Sequence, residues 1–316
     1  MAARIPIRPT IAAAVAATTA TLLLGACGDQ TGTGTSSGGS QAGGAPSDAP
    51  LFDRLPKKYQ DAGVIKVGTD AAYAPMEFIE NGKIVGVDPD IADALGRQLG
   101  VRFVFTSGTF DSLITSLNSG RQDIVMSSMS DTKARQEGLD GKGQKTGNGV
   151  DFVDYFTAGS VVYVQKGNPR HITSIADLCG QTAAVQRGTT FETVVKTQSK
   201  DCEAEGKPAI RIESFPTDAE AQTRVKAGGA VAGVNDFPVA VDLARKADGG
   251  KAFEVVGDQI EAGPFGIAVD KKNTALRDAL KEALDAIIND GSYKKALDKW
   301  GAGSGAVTSA EINGGS

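Results

Sequence analysis

Ser127-Ser-Met-Ser-Asp-Thr-Lys-Ala-Arg135 directly follows the short apolar run Asp123-Ile-Val-Met126. A strand that ends in small hydroxyl residues leaves its last N–H groups free to point at a ligand, and an arginine one helical turn further meets a carboxylate with two parallel bonds. That chemistry holds an anion, whether phosphate, nucleotide or carboxylate, and does not cut one. The plain alternative is an ordinary strand-to-helix turn with a solvated arginine. Three further segments carry comparable groups: Asp70-Ala-Ala-Tyr73-Ala-Pro75-Met76-Glu77-Phe78, Gly188-Thr189-Thr190-Phe191 and Asn235-Asp236. The second of these reads as a helix N-terminus rich in N–H donors.

The elements that must position these groups alternate short apolar runs with helical ones from Val64 onward, the pattern of an α/β domain with a largely parallel sheet. Strands are expected at Val64–Val67, Val101–Phe105 and Asp123–Met126, with a hairpin tip at Gly82. Asp88-Pro89 reads as N-cap and first residue of a helix whose Ile91, Leu95 and Leu99 share one face until Gly100. Phe110, Leu113, Ile114 and Leu117 give another apolar helix face. A second series follows a Gly/Lys/Asn-rich insertion at 140–149: strands at Ser160–Gln165, Thr182–Val185, Arg211–Phe215 and Val231–Asn235, with helices over Thr189–Ser199 and Phe237–Ala247. Capping boxes are expected at Ser174/Asp177 and Thr217/Glu220. Each of the four chemical segments then lies at the carboxyl end of an expected strand, where open α/β sheets place ligands. Two such series in one chain argue for two lobes.

Of the 316 residues, 41% are hydrophobic and 22% charged, which is ordinary globular composition. Arg4 and Arg8, the apolar run Ile11–Leu24 and then Leu24-Gly25-Ala26-Cys27 read as an export signal ending in a bacterial lipobox, with the Cys27 thiol acylated (a palmitate-type anchor). A plain secretory peptide is the alternative. Cleavage before Cys27 leaves 290 residues and moves the formal charge from −5 to −7, a mildly acidic balance with no basic patch, so nucleic acid is not an expected partner. Residues 27–50 are rich in Gly, Ser, Thr and Ala and read as a flexible tether. With Cys27 assigned to lipid, Cys179 and Cys202 remain as one pair that an oxidising exterior favours joining; two free thiols are the alternative. With a single histidine, His171, there is no metal-ligand cluster and a Ser-His-Asp triad would depend on that residue alone, which reads as a surface histidine; no GxxxxGK[ST] occurs, and no cofactor is expected.

Taken together with Gly86-Val-Asp-Pro-Asp-Ile-Ala92, Val150-Asp-Phe-Val-Asp-Tyr-Phe156, Gly291-Ser-Tyr-Lys-Lys295 and Lys299-Trp300, the four segments resemble the extracytoplasmic solute-binding proteins of ABC importers for polar amino acids, the two-lobed class called family 3. The resemblance covers about Val64 to Gly301. It implies a two-lobed periplasmic-binding-protein-like fold of type II, each lobe a central sheet flanked by helices, with two crossovers at the hinge. The implied parts are a signal peptide at 1–26, a tether at 27–50, lobe 1 at 51–158, lobe 2 at 159–262, a return to lobe 1 at 263–301 and a flexible tail at 302–316.

By the same resemblance Arg135 pairs the ligand α-carboxylate, helped by Thr189 or Thr190, and Asp236 takes the α-ammonium beside Ser128 and Ser130. Tyr73 packs on the ligand side chain, and Asp70 stands near its far end, which suits a basic or amide side chain: arginine, lysine, histidine or glutamine. Alternatives remain for single residues. Asp70 also reads as a loop cap and Tyr73 as core packing; Phe78 and Phe191 read as packing, Glu77 as structural, and Trp300 as the anchor of the last helix. Met76, Val87 and Pro89 depart from the family pattern and leave the shape of the side-chain pocket open. The implied protein is a monomer, lipid-anchored at the outer face of the cytoplasmic membrane, whose partners are an ABC permease and its ATPase. A dehydratase-like enzyme on the same fold and a ligand-sensing surface lipoprotein are the rival readings.

Overall fold

The computed structural model describes residues 48–140 and 143–316. The export signal, Cys27 and the tether up to residue 47 lie outside the described residues, as do Gly141 and Lys142 of the insertion. Around that gap Leu139 and Lys145 form an isolated antiparallel bridge. Among the described residues no helix is long and apolar enough to cross a membrane.

Helix α1 (Lys57–Ala62) leads into β1 (Val64–Thr69), and β2 (Ala72–Tyr73), β3 (Glu77–Glu80) and β4 (Lys83–Val85) form a small antiparallel sheet. Next comes α2 (Val87–Leu99), which starts two residues earlier than Asp88-Pro89 suggests. The reason is Gly86, at φ 138°, where an added Cβ would stand 2.2 Å from the Met76 carbonyl oxygen. This tight crossing lets the Val87 and Asp88 N–H groups donate to the carbonyls of Pro75 and Met76. Asp88 is therefore no N-cap: its carboxylate is buried and accepts from the Ser128 N–H and the Tyr155 hydroxyl. Ile91, Leu95 and Leu99 are fully buried as one face, worth roughly 1.5–3 kcal/mol each, and Gly100 in the left-handed region ends the helix.

The first series continues with β5 (Arg102–Ser107), α3 (Leu113–Asn118), β6 (Ile124–Val125) and α4 (Lys133–Glu137). The strand expected at Ser160–Gln165 is only the end of β7 (Val150–Gln165), 16 residues long. After it come β8 (Thr182–Gln186), α5 (Thr190–Ala204), β9 (Arg211–Phe215), α6 (Asp218–Lys226), β10 (Ala232–Asp236) and α7 (Phe237–Lys246). The other long strand is β11 (Phe253–Asp270), 18 residues. Helices α8 (Thr274–Asn289) and α9 (Ser292–Trp300) and the short β12 (Glu311–Ile312) complete the chain.

The main sheet runs β5-β1-β6-β11-β7-β10-β8-β9, with β12 paired to β7. β5, β1 and β6 are parallel to one another, as are β9, β8 and β10, and the long antiparallel pair β7/β11 joins the two series. The register of that pair slips between Val256 and Ile260 and again between Ile260 and Gly263, opposite Ala158–Ser160. Such irregularities interrupt the ladder and bend the strands locally. The fold is the two-lobed α/β type, each series a sheet section flanked by helices and joined by two crossing strands.

Three anchors hold the periphery. A disulfide joins Cys179 to Cys202 on α5. Trp300 donates its Nε1–H to Asp90 at 2.6 Å and meets the Phe78 ring edge-on, fastening α9 to the first series. The segment expected as a flexible tail is instead packed: β12 pairs Glu311 with Asp154 and Ile312 with Val153, and the N–H groups of Gly314 and Gly315 donate to Asp154 and Asp131. Its low hydrophobicity hides this, because backbone pairing and buried carboxylates hold it in place.

Candidate functional site

Two sets of three parallel strands, running in opposite senses, present their carboxyl ends to one cavity. All eight residues expected to touch ligand line it: Asp70 after β1, Tyr73 on β2, Ser128 and Ser130 after β6, Arg135 on α4, Thr189 and Thr190 at the start of α5, and Asp236 ending β10. Glu77, Phe110, Gln186, Phe191 and Asp218 also line it, and these the sequence reading leaves out or assigns to packing and structure. Gln186 ends β8, and Phe110 and Asp218 follow β5 and β9, so the placement of ligand groups at strand carboxyl ends reaches them when applied to every strand.

Arg135 sits between the two series. Its guanidinium donates to the Ser130 carbonyl at 2.7 Å and the Gly188 carbonyl at 3.0 Å and lies 5.3 Å from the Phe110 ring centroid. Burial lowers its pKa to about 10, opposed by the charges of Asp236 and Asp131. Two of its five donors are thus held by backbone in a planar fork suited to a carboxylate.

The turn before it differs from expectation. The Ser128 N–H does not stand free but donates to Asp88 Oδ2 at 3.1 Å. The hydroxyls of Ser127 and Ser128 donate to Glu77, and Ser127 Oγ accepts the Asp70 N–H. Glu77 lies buried beside Asp88. Burial and the Asp88 charge push Glu77 well above the usual carboxylate range, and burial raises Asp88 to about 7. The serine wall is thus fixed on a buried pair of carboxyl groups, which sets its shape. At α5 the Thr189 hydroxyl is consumed as a cap, accepting the Glu192 N–H and donating to the Gln186 carbonyl. The Gly188 N–H is held by Glu192 as well. Of the two threonines left open, Thr190 has the hydroxyl that faces across, 3.1 Å from Ser130 Oγ.

Opposite stands an acidic wall. The Tyr73 hydroxyl lies 2.5 Å from Asn235 Oδ1 and 2.6 Å from Asp236 Oδ2. Burial raises Asp236 to about 7, while the Tyr73 hydroxyl and Arg135 oppose the rise and Asp218 adds to it. Burial also raises Asp70, against hydrogen bonds from Gln186 at 2.7 Å and the Phe110 N–H. Asp218 reaches about 6 for the same reason. One guanidinium therefore faces four carboxyl groups, at Asp70, Glu77, Asp218 and Asp236. Glu77 is occupied by the Ser127 and Ser128 hydroxyls, so Asp70, Asp218 and Asp236 are the carboxyl groups left to match a molecule with one carboxylate and more than one positive charge. Among the described residues no group of three or more His, Cys, Asp or Glu side chains is arranged to hold a metal ion.

Residues 65–303 match the family model of bacterial extracellular solute-binding proteins, family 3. The arginine-binding protein ArgT of Corynebacterium glutamicum is 32% identical over 271 residues, covering 85% of this chain and 84% of its own length. Among solved structures, an ancestral arginine-binding protein bound to arginine shares 35% identity at a TM-score of 0.66, covering 75% of this chain and 98% of that one. The ancestral amino acid-binding protein AncCDT-1, described as a precursor of cyclohexadienyl dehydratase, gives the same identity and TM-score over 77% of this chain and 97% of its own.

Proposed function

The chain belongs to the bacterial extracellular solute-binding proteins of family 3, and on that premise we propose that it captures a free basic amino acid, arginine first, between its lobes and delivers it to an ABC permease. The observation that carries the reading is the placement of Arg135 and Asp236 on one cavity from different lobes. An amino acid is a zwitterion, so a specific site needs a cation and an anion set apart, each hydrogen-bonded to repay its desolvation. Arg135 takes the α-carboxylate with Thr190, and Asp236 takes the α-ammonium beside Ser130. Because the two charges come from opposite sides of the β7/β11 crossing, a ligand that pairs both favours the closed arrangement.

Asp70, Tyr73 and Gln186 stand where a side chain extends, and the surplus of carboxyl groups there favours a cationic one. Relatives bearing arginine in their names support the same choice. A micromolar dissociation constant, about 8 kcal/mol, is within reach of a few charge-assisted bonds after ordering costs. The protein acts without turnover, so ligand is recovered unchanged after prolonged incubation. Acylation at Cys27 holds it at the outer face of the cytoplasmic membrane, with residues 28–50 as tether. A Cys27→Ser variant then moves from the membrane fraction to the medium.

Calorimetry against the twenty amino acids tests the central claim. Arginine is expected to bind most tightly, with lysine, histidine or glutamine behind it, and binding to none of the twenty rejects the ligand class.

A further inference from the structure

The acidic bias of the cavity narrows to one atom. Asp218 is 2% exposed and lines the cavity. Its Oδ2 accepts from Asn235 Nδ2 at 2.8 Å and Gln222 Nε2 at 2.6 Å, whereas its Oδ1 is buried with no hydrogen-bond partner. A carboxylate oxygen taken out of water and left unpaired is costly, and in a cavity wall the missing donor is one that arrives from outside the chain. The carboxylate is also well fixed. It is the first residue of α6, the two amides clamp its other oxygen, and Asn235 links it to the Tyr73 hydroxyl. Asp70, which interacts electrostatically with Asp218, is clamped in a similar way by Gln186. Two carboxylates of the same wall thus each keep one oxygen tied to protein amides.

We propose that Asp218 is a specificity-determining residue that, with Asp70, reads the cationic end of the ligand side chain, its Oδ1 accepting an N–H from a guanidinium. This rests on the amino-acid receptor reading above. A guanidinium is a planar fork of donors that spans two carboxylates, and its charge is neutralised by them. A ureido group has the same shape and length but puts a carbonyl oxygen in place of one NH₂ and carries no charge. It leaves one carboxylate facing an acceptor, the arrangement by which buried polar sites reject near-isosteres most strongly. The residue class is therefore a filter against neutral side chains, distinct from the parts that hold the α-carboxylate and α-ammonium.

The test is calorimetric titration of L-arginine and its ureido isostere L-citrulline on the full chain and on Asp218→Asn and Asp218→Ser, with thermal unfolding of each. Both replacements keep an oxygen for the Asn235 and Gln222 amides. The unaltered protein is expected to prefer arginine by about 100-fold or more. In the variants that preference drops by about tenfold or more through weaker arginine binding, while citrulline changes by less than about threefold. A folded variant that keeps the original preference overturns the proposal. Asp218 Oδ1 then serves the fold, sharing a buried water with the nearby Tyr163 hydroxyl, which is also unpartnered. If the unaltered protein binds neither compound nor any other amino acid, the receptor reading itself fails, an outcome distinct from arginine binding with unchanged preference.

Discussion

The Tyr73 hydroxyl stands 2.6 Å from Asp236 Oδ2, although the two residues are separated by 163 positions and sit in different sheets, Tyr73 on β2 of the small sheet and Asp236 at the end of β10 of the main one. The bond ties the first lobe to the carboxylate assigned to the ligand ammonium. Tyr73→Phe keeps the ring and removes only this donor. Hydrogen bonds to charged groups are worth roughly 1.5–3 kcal/mol, so arginine affinity is expected to fall about 10- to 100-fold by calorimetry with little change in melting temperature. Unchanged affinity would detach Tyr73 from the action of Asp236.

Arg135→Lys retains the charge but loses the fork that spans the Ser130 and Gly188 carbonyls and the contact with the Phe110 ring. A lysine ammonium is a point charge and does not replace a bidentate carboxylate clamp. Binding of every amino acid is expected to weaken by about 100-fold or more, because the clamp reads the part they share. Weakening confined to one ligand would move Arg135 from the backbone subsite to the side-chain subsite.

Stability and affinity are expected to respond to pH in opposite directions. Burial raises Asp218 to about 6, and Asp236 and Asp154 to about 7. A carboxyl group raised in the folded state contributes stability that is fully present below its unfolded value near 4 and is lost as pH rises through 6 to 7. Backbone N–H donors depress Asp177 and Asp290, and the Arg224 hydrogen bond depresses Glu213. These groups add stability that is lost only as pH falls through and below the ordinary carboxylate range. The melting temperature without ligand should therefore peak near pH 5 and decline toward pH 8. A cationic ligand needs Asp218 and Asp236 ionised, so its affinity should rise from pH 5.5 to about 7.5, by up to about tenfold per unit for each group, and then level off. Thermal unfolding with and without arginine across that range measures both trends, and a flat affinity would argue against ionised carboxylates as partners.

Removal of residues 306–316 should destabilise the fold. It deletes the β12 pairing and the Gly314 and Gly315 donors, and it frees the Phe152 N–H that the Asn313 side chain accepts. A loss of about 2–4 kcal/mol is expected, near 5–10 °C in melting temperature. An unchanged melting point would show that the tail only decorates β7.

Replacing Cys179 and Cys202 by serine opens a loop with a sequence separation of 23. Chain entropy predicts a cost of about 3 kcal/mol in unfolding by denaturant. Neither cysteine lines the cavity, so amino-acid affinity should stay within about twofold.

The legible part of this protein is what local chemistry encodes. Apolar periodicity and glycine stops mark most helices and strands, the rule that ligands gather at strand carboxyl ends marks four segments, and the family resemblance picks Asp70, Tyr73, Ser128, Ser130, Arg135, Thr189, Thr190 and Asp236 within them. Asp218 escapes this reading because it follows Thr217 inside a capping box, and an acidic residue in a first helical turn already has a local explanation in the helix dipole. Gln186 falls just past the expected strand Thr182–Val185 and carries no charge to single it out. Both acquire meaning only when β8, β9 and β1 meet across the cavity.

Sequence alone placed an arginine and an aspartate at the ends of expected strands, and the family resemblance read them as a clamp for a zwitterion. The tertiary structure decided the rest. β7 and β11 read as fragments, since the bulged stretch around Ala158–Ser160 and Val256–Gly263 breaks the alternation that marks a strand, and only their mutual pairing reveals two continuous crossings. The tail read as flexible because backbone pairing to a distant strand leaves no hydrophobic signature. Whether a hydroxyl or N–H is free for a ligand is likewise non-local: Asp88, Glu77 and Glu192 consume the donors of Ser128 and Gly188, and Asp218 keeps one oxygen bare. Hydrogen bonding is settled by which groups burial brings within 3 Å, and a linear chain does not carry that information residue by residue.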